Sequence, residues 1–129
     1  MRRTILAIAA VCAAAITPAA AQQMKFDKTN QIAAKSGQRV QIAMLGRVTP
    51  ACQNAPVRIT LAQKPLNGKV EAAKGKLKMG AIPKCPQLQP ESALFFYTSN
   101  PGFKGKDQVA ILVEYEGKKN GEMYEITVE

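Results

Sequence analysis

The sequence predicts an all-β chain, folded as a β-sandwich of about seven antiparallel strands. Three observations support this prediction. Short stretches of alternating apolar and polar residues recur along residues 22–129, and turn-forming residues separate them. No stretch beyond the N-terminal segment shows the 3.6-residue apolar period of a helix. Seven short strands in about a hundred residues suit two packed sheets around one core.

The N-terminal segment, MRRTILAIAAVCAAAITPAAAQQ, has the order of a secretory signal peptide. Two arginines precede an apolar run over residues 5–16, and small residues follow it. We expect cleavage after Ala21, which leaves one domain of residues 22–129 in the periplasm or outside the cell. The run is shorter than the roughly 20 residues that span a bilayer, so no transmembrane anchor is expected. Cys12 lies within the run after a bulky valine, which favours general secretion over lipid attachment.

The predicted strands follow one another along the chain, and each shows alternation or a run of β-forming aromatic residues. In the second strand, RVQIAML, the side chains of Val40, Ile42 and Met44 share one face. The fourth strand lies within KPLNGKVEAAKGKLKMG, where Asn67 and Gly68 predict a tight turn because both tolerate a positive φ. The predicted strands are residues 25–33, 39–45, 57–62, part of 64–80, 93–99, 109–116 and 123–129.

The last two strands are predicted to pair as a C-terminal hairpin. VAILVEYE and MYEITVE both alternate, and the five residues GKKNG (117–121) between them have a glycine at each end. We expect those five residues to form the loop of the hairpin.

Two cysteines of the exported part, Cys52 and Cys85, lie in the turn-rich segments TPACQNAP and IPKCPQLQP. In an oxidising compartment an isolated pair of this kind forms one disulfide. The proline-rich segment 83–90 is then a rigid loop. A metal or redox pair is the alternative, but the chain has no histidine and no Cys-x-x-Cys spacing. We therefore expect no metal and no cofactor.

Charge is unevenly distributed along the chain, whose formal net charge is +9. Residues 22–106 hold 14 basic and 3 acidic residues, whereas residues 107–129 hold 2 basic and 6 acidic residues. Such a field favours anionic surfaces, such as lipid phosphates or acidic polysaccharide, or it serves only solubility. Aromatic residues make up 5% of the chain and do not interleave with a basic run, so nucleic acid is not an expected partner.

Two segments, KPLNGKV and LFFYTSNPGFKGKDQVAI, resemble the signature of bacterial cadherin-like and Ig-like repeat domains. The matching residues are Pro65, Gly68 and Val70 in the first segment, and Tyr97, Pro101, Gly102, Phe103, Gly105 and Asp107 in the second. The resemblance implies an Ig-like or cadherin-like β-sandwich used for adhesion, carbohydrate contact or spacing between domains, without catalysis. This chain carries one copy of the signature and adds a cysteine pair.

The second segment also has a physical interpretation that does not depend on the resemblance. Pro101 and Gly102 suit the central positions of a type II turn. Phe103 is predicted to cover the end of the core, and Gly105 allows a second bend. Asp107 is predicted to brace the corner by accepting hydrogen bonds from backbone amides of its own loop. Calcium binding is the alternative, but the two preceding lysines and the shortage of acidic ligands oppose it.

Six lysines form a candidate anion-binding strip. In KGKLKMG, Lys74, Lys76 and Lys78 lie two apart, so a strand would place them on one face. They either protect an edge strand from pairing with other chains or bind an anionic partner. In the second case Lys64, Lys69 and Lys84 would join them.

The sequence does not predict an enzyme. It has no histidine, its serines lack a nucleophile motif, and its clustered glutamates fall on a predicted exposed sheet face. We expect an exported binding or accessory module that acts through its surface on a protein, glycan or lipid of the cell envelope. The alternatives are a small periplasmic inhibitor of an envelope enzyme and a binder of anionic envelope surfaces through the lysine strip.

Overall fold

A computed structural model of the chain describes residues 26–129, and the predicted signal peptide lies outside them. The seven strands are β1 Lys28–Ala34, β2 Arg39–Leu45, β3 Arg58–Gln63, β4 Gly68–Lys76, β5 Glu91–Ser99, β6 Gly105–Tyr115 and β7 Lys118–Val128. They form two sheets with the strand orders β1-β7-β6-β3 and β2-β5-β4. The predicted all-β class and the sandwich of about seven strands are confirmed. None of the described residues belongs to a helix that could cross a bilayer.

The core lies between the two sheets and is built from alternate residues of the strands. Val109 and Ile111 of β6 and Ile126 of β7 point inward from the four-stranded sheet, and Tyr97 of β5 meets them from the other sheet. All four side chains are fully buried. Burying a side chain of this size stabilises the fold by about 1.5–3 kcal/mol.

The C-terminal hairpin is tighter than predicted, and the expected five-residue loop over residues 117–121 is wrong. The connection is the two-residue turn Glu116–Gly117, and Tyr115 pairs with Lys118. Glu116 and Gly117 both have positive φ, 47° and 73°. Two positive φ angles match the twist of the flanking strands, so β7 can begin immediately after the turn.

One pair of strands departs from the predicted antiparallel arrangement. β1 runs parallel to β7, with Ala34 opposite Val128. The reason is that β1 does not form a hairpin with the next strand. It leads through a short turn, in which the Gln38 amide donates to the Lys35 carbonyl, into β2 of the other sheet.

The strand directions give the sandwich two distinct ends. The Asp107 end consists of the connections 35–38, 64–67 and 100–104. The disulfide end consists of the longer loops 46–57 and 77–90, together with the turn at Glu116–Gly117.

Candidate functional site

The carboxylate of Asp107 is the polar centre of the Asp107 end. Its Oδ1 accepts hydrogen bonds from the amides of Leu66 and Gln108, each at 3.0 Å. Its Oδ2 accepts from the amide of Asn67 at 3.0 Å and from the Tyr97 hydroxyl at 2.8 Å. The side chain is only 4% exposed. Asp107 lies in β6 and ties the connection before β4 and strand β5 to its own strand, whereas the sequence predicted donors from its own loop.

Tyr97 and Gly68 fit closely together beside this carboxylate. Burial, followed by the hydrogen bond to Asp107, raises the pKa of the Tyr97 phenol, which stays protonated and donates. Gly68 does not adopt the positive φ that the Asn67-Gly68 pair predicts. A Cβ there would lie 2.6 Å from the Thr98 carbonyl oxygen and 2.7 Å from the Tyr97 ring. The glycine is needed for close packing rather than for a left-handed turn.

The remaining residues of the Pro-Gly-Phe motif form the corner next to Asp107. Gly102 has a φ of 82°, and the Phe103 amide donates to the Asn100 carbonyl at 3.1 Å, as in a type II turn. Phe103 packs against the core, and its ring lies 3.5 Å from the Cβ position of Gly105. Residues 26–129 contain no group of three or more His, Cys, Asp or Glu side chains that could hold a metal ion. The type II turn and the packing of Phe103 against the core give this corner the geometry of a structural brace.

The disulfide end is organised by the predicted Cys52–Cys85 disulfide, which is confirmed. The two Cα atoms are 5.4 Å apart, and the bond ties loop 46–57 to loop 77–90. A side-chain contact adds to it, because Asn54 Oδ1 accepts a hydrogen bond from the Glu91 amide at 2.9 Å. Both long loops are thus fixed to the start of β5.

Loop 77–90 is further ordered by backbone hydrogen bonds along its length. The Leu77 amide donates to the Pro90 carbonyl at 2.7 Å, and the Gly80 amide donates to Leu88 at 3.2 Å. These bonds continue the pairing of β4 and β5 beyond the sheet. Met79, between these two hydrogen-bonded positions, is 63% exposed.

A cleft of about 560 Å³ opens between the two sheets at the disulfide end. It lies where the edge strands β3 and β4 approach each other. Its apolar lining consists of Leu45, Pro56, Val57, Ile59 and Ala93, and its charged lining consists of Arg47, Lys74, Lys76 and Glu91. A volume of this size falls within the range of small-molecule sites.

The structure separates the six lysines of the predicted strip. Lys64 and Lys69 lie near the Asp107 end, and the Lys69 amine is 3.2 Å from Glu71 on the outer face of its sheet. Lys78 and Lys84 lie on loop 77–90. Lys74 and Lys76 line the cleft. Only part of the strip is therefore gathered at one place.

Strand register explains why Lys74 and Lys76 reach the cleft. Lys74 pairs with Ala93, and Lys76 pairs with Glu91. Ala93 shares the inner face of β5 with the buried Tyr97, so both lysines belong to the inner face of the edge strand β4. Their side chains are exposed because the sandwich is open at this end.

Arg47 completes the cationic part of the cleft, and the sequence gives no local sign of this role. Its guanidinium carbon lies 5.2 Å from the centre of the Tyr115 ring, at cation–π distance. Within residues 26–129, Arg47, Lys74 and Lys76 make no ion pair, since the three ion pairs found there are Arg39–Glu71, Lys69–Glu71 and Lys119–Glu114. Lys74 therefore has no ion-pair partner in these residues, whereas Lys76 lies opposite Glu91 and Arg47 stacks on Tyr115.

The two ends of the sandwich differ in the state of their polar groups. At the Asp107 end, the buried carboxylate accepts hydrogen bonds from donors of the protein itself. At the disulfide end, Lys74 and Arg47 border a partly apolar cleft and form no ion pair with any residue of 26–129. No protein-family model matches the chain, and no curated protein matches its sequence.

Proposed function

We propose that the chain is an exported, non-enzymatic binding module of the Ig-like or cadherin-like type, which contacts a partner of the cell envelope through its disulfide end. One observation carries the proposal. Two long loops are fixed by a disulfide and backbone hydrogen bonds beside a cleft that contains unpaired cations. Such pre-ordered loops lose little entropy on binding, which favours recognition.

Export is supported by two independent features. The N-terminal segment has the order of a secretory signal peptide. The disulfide forms and persists in an oxidising compartment such as the periplasm. Together they favour a periplasmic or secreted protein with residues 22–129 as its single domain.

A non-enzymatic role is supported by the hydrogen bonds that two inward-pointing carboxylates make within the protein. The Asp107 oxygens accept four hydrogen bonds from the protein, and Glu122 accepts one from the Tyr124 hydroxyl. A catalytic carboxylate must reach a substrate proton, and Asp107 is buried away from the cleft. Asp107 is therefore better suited to holding the fold.

Inhibition of an envelope enzyme is a second candidate, and loop 77–90 favours it. The loop is restrained by the disulfide and displays the exposed side chain of Met79. A restrained loop with an exposed apolar side chain suits the blocking of an active site. Addition of the protein to a panel of envelope hydrolases should then depress one of them, and unchanged rates across the panel would contradict inhibition.

Site-specific photo-cross-linking tests the proposed module directly. A photoreactive phenylalanine analogue is placed at Met79 in loop 77–90 or, as a matched control, at Leu66 in the Asp107 end. Both side chains are exposed, 63% and 88% respectively, so both substitutions preserve the core. We expect adducts with an envelope component from position 79 and none from position 66. Equal adducts from both positions, or none from either, would contradict the proposal.

A further inference from the structure

We propose that the cleft at the disulfide end binds a small anionic amphiphile, that is, a ligand with one carboxylate or phosphate group and an apolar body. The inference rests on the proposed function as a binding module and names the ligand class of its disulfide end. It is carried by the position of Lys74, by the unpaired cations and by the apolar walls of the cleft.

The position of Lys74 is unusual for a lysine in a sandwich. Along the inner face of β4, Val70 packs against the core, whereas Lys74 meets solvent in the cleft. The Lys74 side chain therefore lies on the same face of β4 as Val70, four residues earlier, which packs against the hydrophobic core. A ligand beside Lys74 would contact apolar side chains and a cation together.

The charges that line the cleft favour an anion. Lys76 lies opposite Glu91 across the β4–β5 pair, so these two charges largely offset each other. Lys74 and Arg47 remain, and neither forms an ion pair within the part of the chain that the structure describes. Two cations at a partly apolar site attract a carboxylate or phosphate more strongly than they would in bulk water.

The apolar lining favours an amphiphile over a fully polar anion. Leu45 and Ala93 come from the three-stranded sheet, and Val57 and Ile59 come from the β3 side. A ligand that reaches between the sheets would remove apolar surface from water on both sides. Each buried methylene would tighten binding about fourfold.

Pairing of a peptide strand with one of the edge strands beside the cleft is less favoured than binding of a small ligand. β3 and β4 are edge strands, and such edges can pair with another chain. Inward-pointing charges such as Lys74 and Lys76 oppose this pairing. Pro56, just before β3, lacks the amide that a paired strand would need. A small ligand that lies between the sheets meets neither obstacle.

Titration of the oxidised, exported protein tests the inference. The probes are decanoate and decyl phosphate, with decanol as the uncharged control, all below micelle formation and at low salt. Binding is followed by calorimetry and by amide chemical shifts. We expect the two anions to bind and decanol to bind at least tenfold more weakly. The shifts should centre on Gly46, Lys74 and Ala93. Comparison of the carboxylate with the phosphate identifies the preferred head group.

Matched lysine variants separate a specific cleft from general charge attraction. Lys74→Gln should weaken decanoate binding about tenfold, equivalent to 1.4 kcal/mol. Lys69→Gln lies on the same strand but outside the cleft and should leave binding unchanged. Ala93→Leu should fill the cleft and block both anions, with a retained amide spectrum showing that the variant folds.

Several outcomes would overturn the inference. They are equal binding of decanol and decanoate, equal losses in the two lysine variants, shifts away from the cleft, or binding of an acidic strand-forming peptide without binding of the amphiphiles. Cross-linking from Met79 reports a partner at loop 77–90 and does not depend on ligand in the cleft. A failed titration with adducts from Met79 would therefore overturn only the inference about the cleft, whereas loss of the adducts would overturn the proposed binding module.

Discussion

Asp107 shows how one buried carboxylate can fix the end of a sandwich. An unpaired charge in the interior would be strongly unfavourable, but here four donors surround the two oxygens. Three of those donors, the amides of Leu66 and Asn67 and the Tyr97 hydroxyl, lie on other segments of the chain. Removal of the carboxylate would leave these three donors without an acceptor. The carboxylate therefore holds several segments of the chain together at this end of the sandwich.

We therefore predict a large destabilisation for Asp107→Ala. Each donor left unsatisfied in the interior costs about 1–3 kcal/mol, so a loss of at least about 3 kcal/mol in the free energy of unfolding is expected. The measurement is urea unfolding followed by circular dichroism. Asp27→Ala is the matched control, because among residues 26–129 the Asp27 carboxylate accepts one amide, that of Gly121, at 3.1 Å. Similar losses in the two variants would contradict the bracing role.

The buried phenols predict a fall in stability at alkaline pH. The pKa values of Tyr97 and Tyr124 are raised in the folded protein, first by burial and then by hydrogen bonds to Asp107 and Glu122. The unfolded chain releases these protons near pH 10. Above that pH the unfolded state therefore binds fewer protons, and stability falls by about 1.4 kcal/mol per pH unit for each phenol.

Tyr97→Phe should remove one of these two contributions. Urea unfolding between pH 9 and pH 11 should show a shallower decline for the variant than for the wild type, and Tyr124→Phe should act similarly. An identical slope in the wild type and Tyr97→Phe would show that the Tyr97 phenol already ionises in the folded protein.

At the scale of the element, β4 combines two different environments. Its first half packs inward against Tyr97, whereas its second half projects Lys74 and Lys76 at the cleft. Successive side chains of β4 alternate between the two faces of the sheet along the whole strand. The environment of its inner face changes because the core lies opposite the first half and the cleft lies opposite the second half. One strand therefore contributes to the core at the Asp107 end and to the candidate binding site at the disulfide end.

Two glycines of β4 test this description. In Gly68→Ala the new methyl group would collide with the Thr98 carbonyl and the buried Tyr97 ring. In Gly75→Ala it would meet, at 2.8 Å, only the flexible end of the Leu94 side chain. We expect Gly68→Ala to lower the free energy of unfolding by about 1–3 kcal/mol, as overpacking does, and Gly75→Ala to cost well under that. Thermal unfolding of both variants decides the matter, and the reverse order would contradict the packing argument.

At the scale of the whole molecule, the disulfide supports the end of the sandwich that the core does not reach. The buried cluster lies between the sheets, and both cysteines lie in loops outside it. The bond therefore restrains loops rather than strands. Arg47 and one wall of the cleft belong to loop 46–57 and depend on it for their arrangement.

The double variant Cys52→Ser/Cys85→Ser should keep the sandwich but lose stability. Closure of a loop with a separation of 33 residues stabilises the fold by about 3.7 kcal/mol in the chain-entropy model. Chemical unfolding of this variant, with the reduced wild type as the control, provides the measurement. A loss below about 1 kcal/mol would show that the loops keep their arrangement without the bond.

The sequence by itself determined the all-β class, the approximate number of strands and the disulfide, because alternation, turn residues and an isolated cysteine pair are local or nearly unambiguous signals. It also identified Asp107 and the Pro-Gly-Phe corner. It did not determine all strand bounds, since β6 and β7 begin at Gly105 and Lys118, earlier than predicted. Only the tertiary structure decided the parallel β1–β7 pair, the two-residue hairpin turn and the donors that reach Asp107 from the connection before β4. It also divided the lysine strip and joined Lys74 with Arg47 at one cleft. These features depend on strand register and on contacts between distant segments, which local residue patterns do not encode.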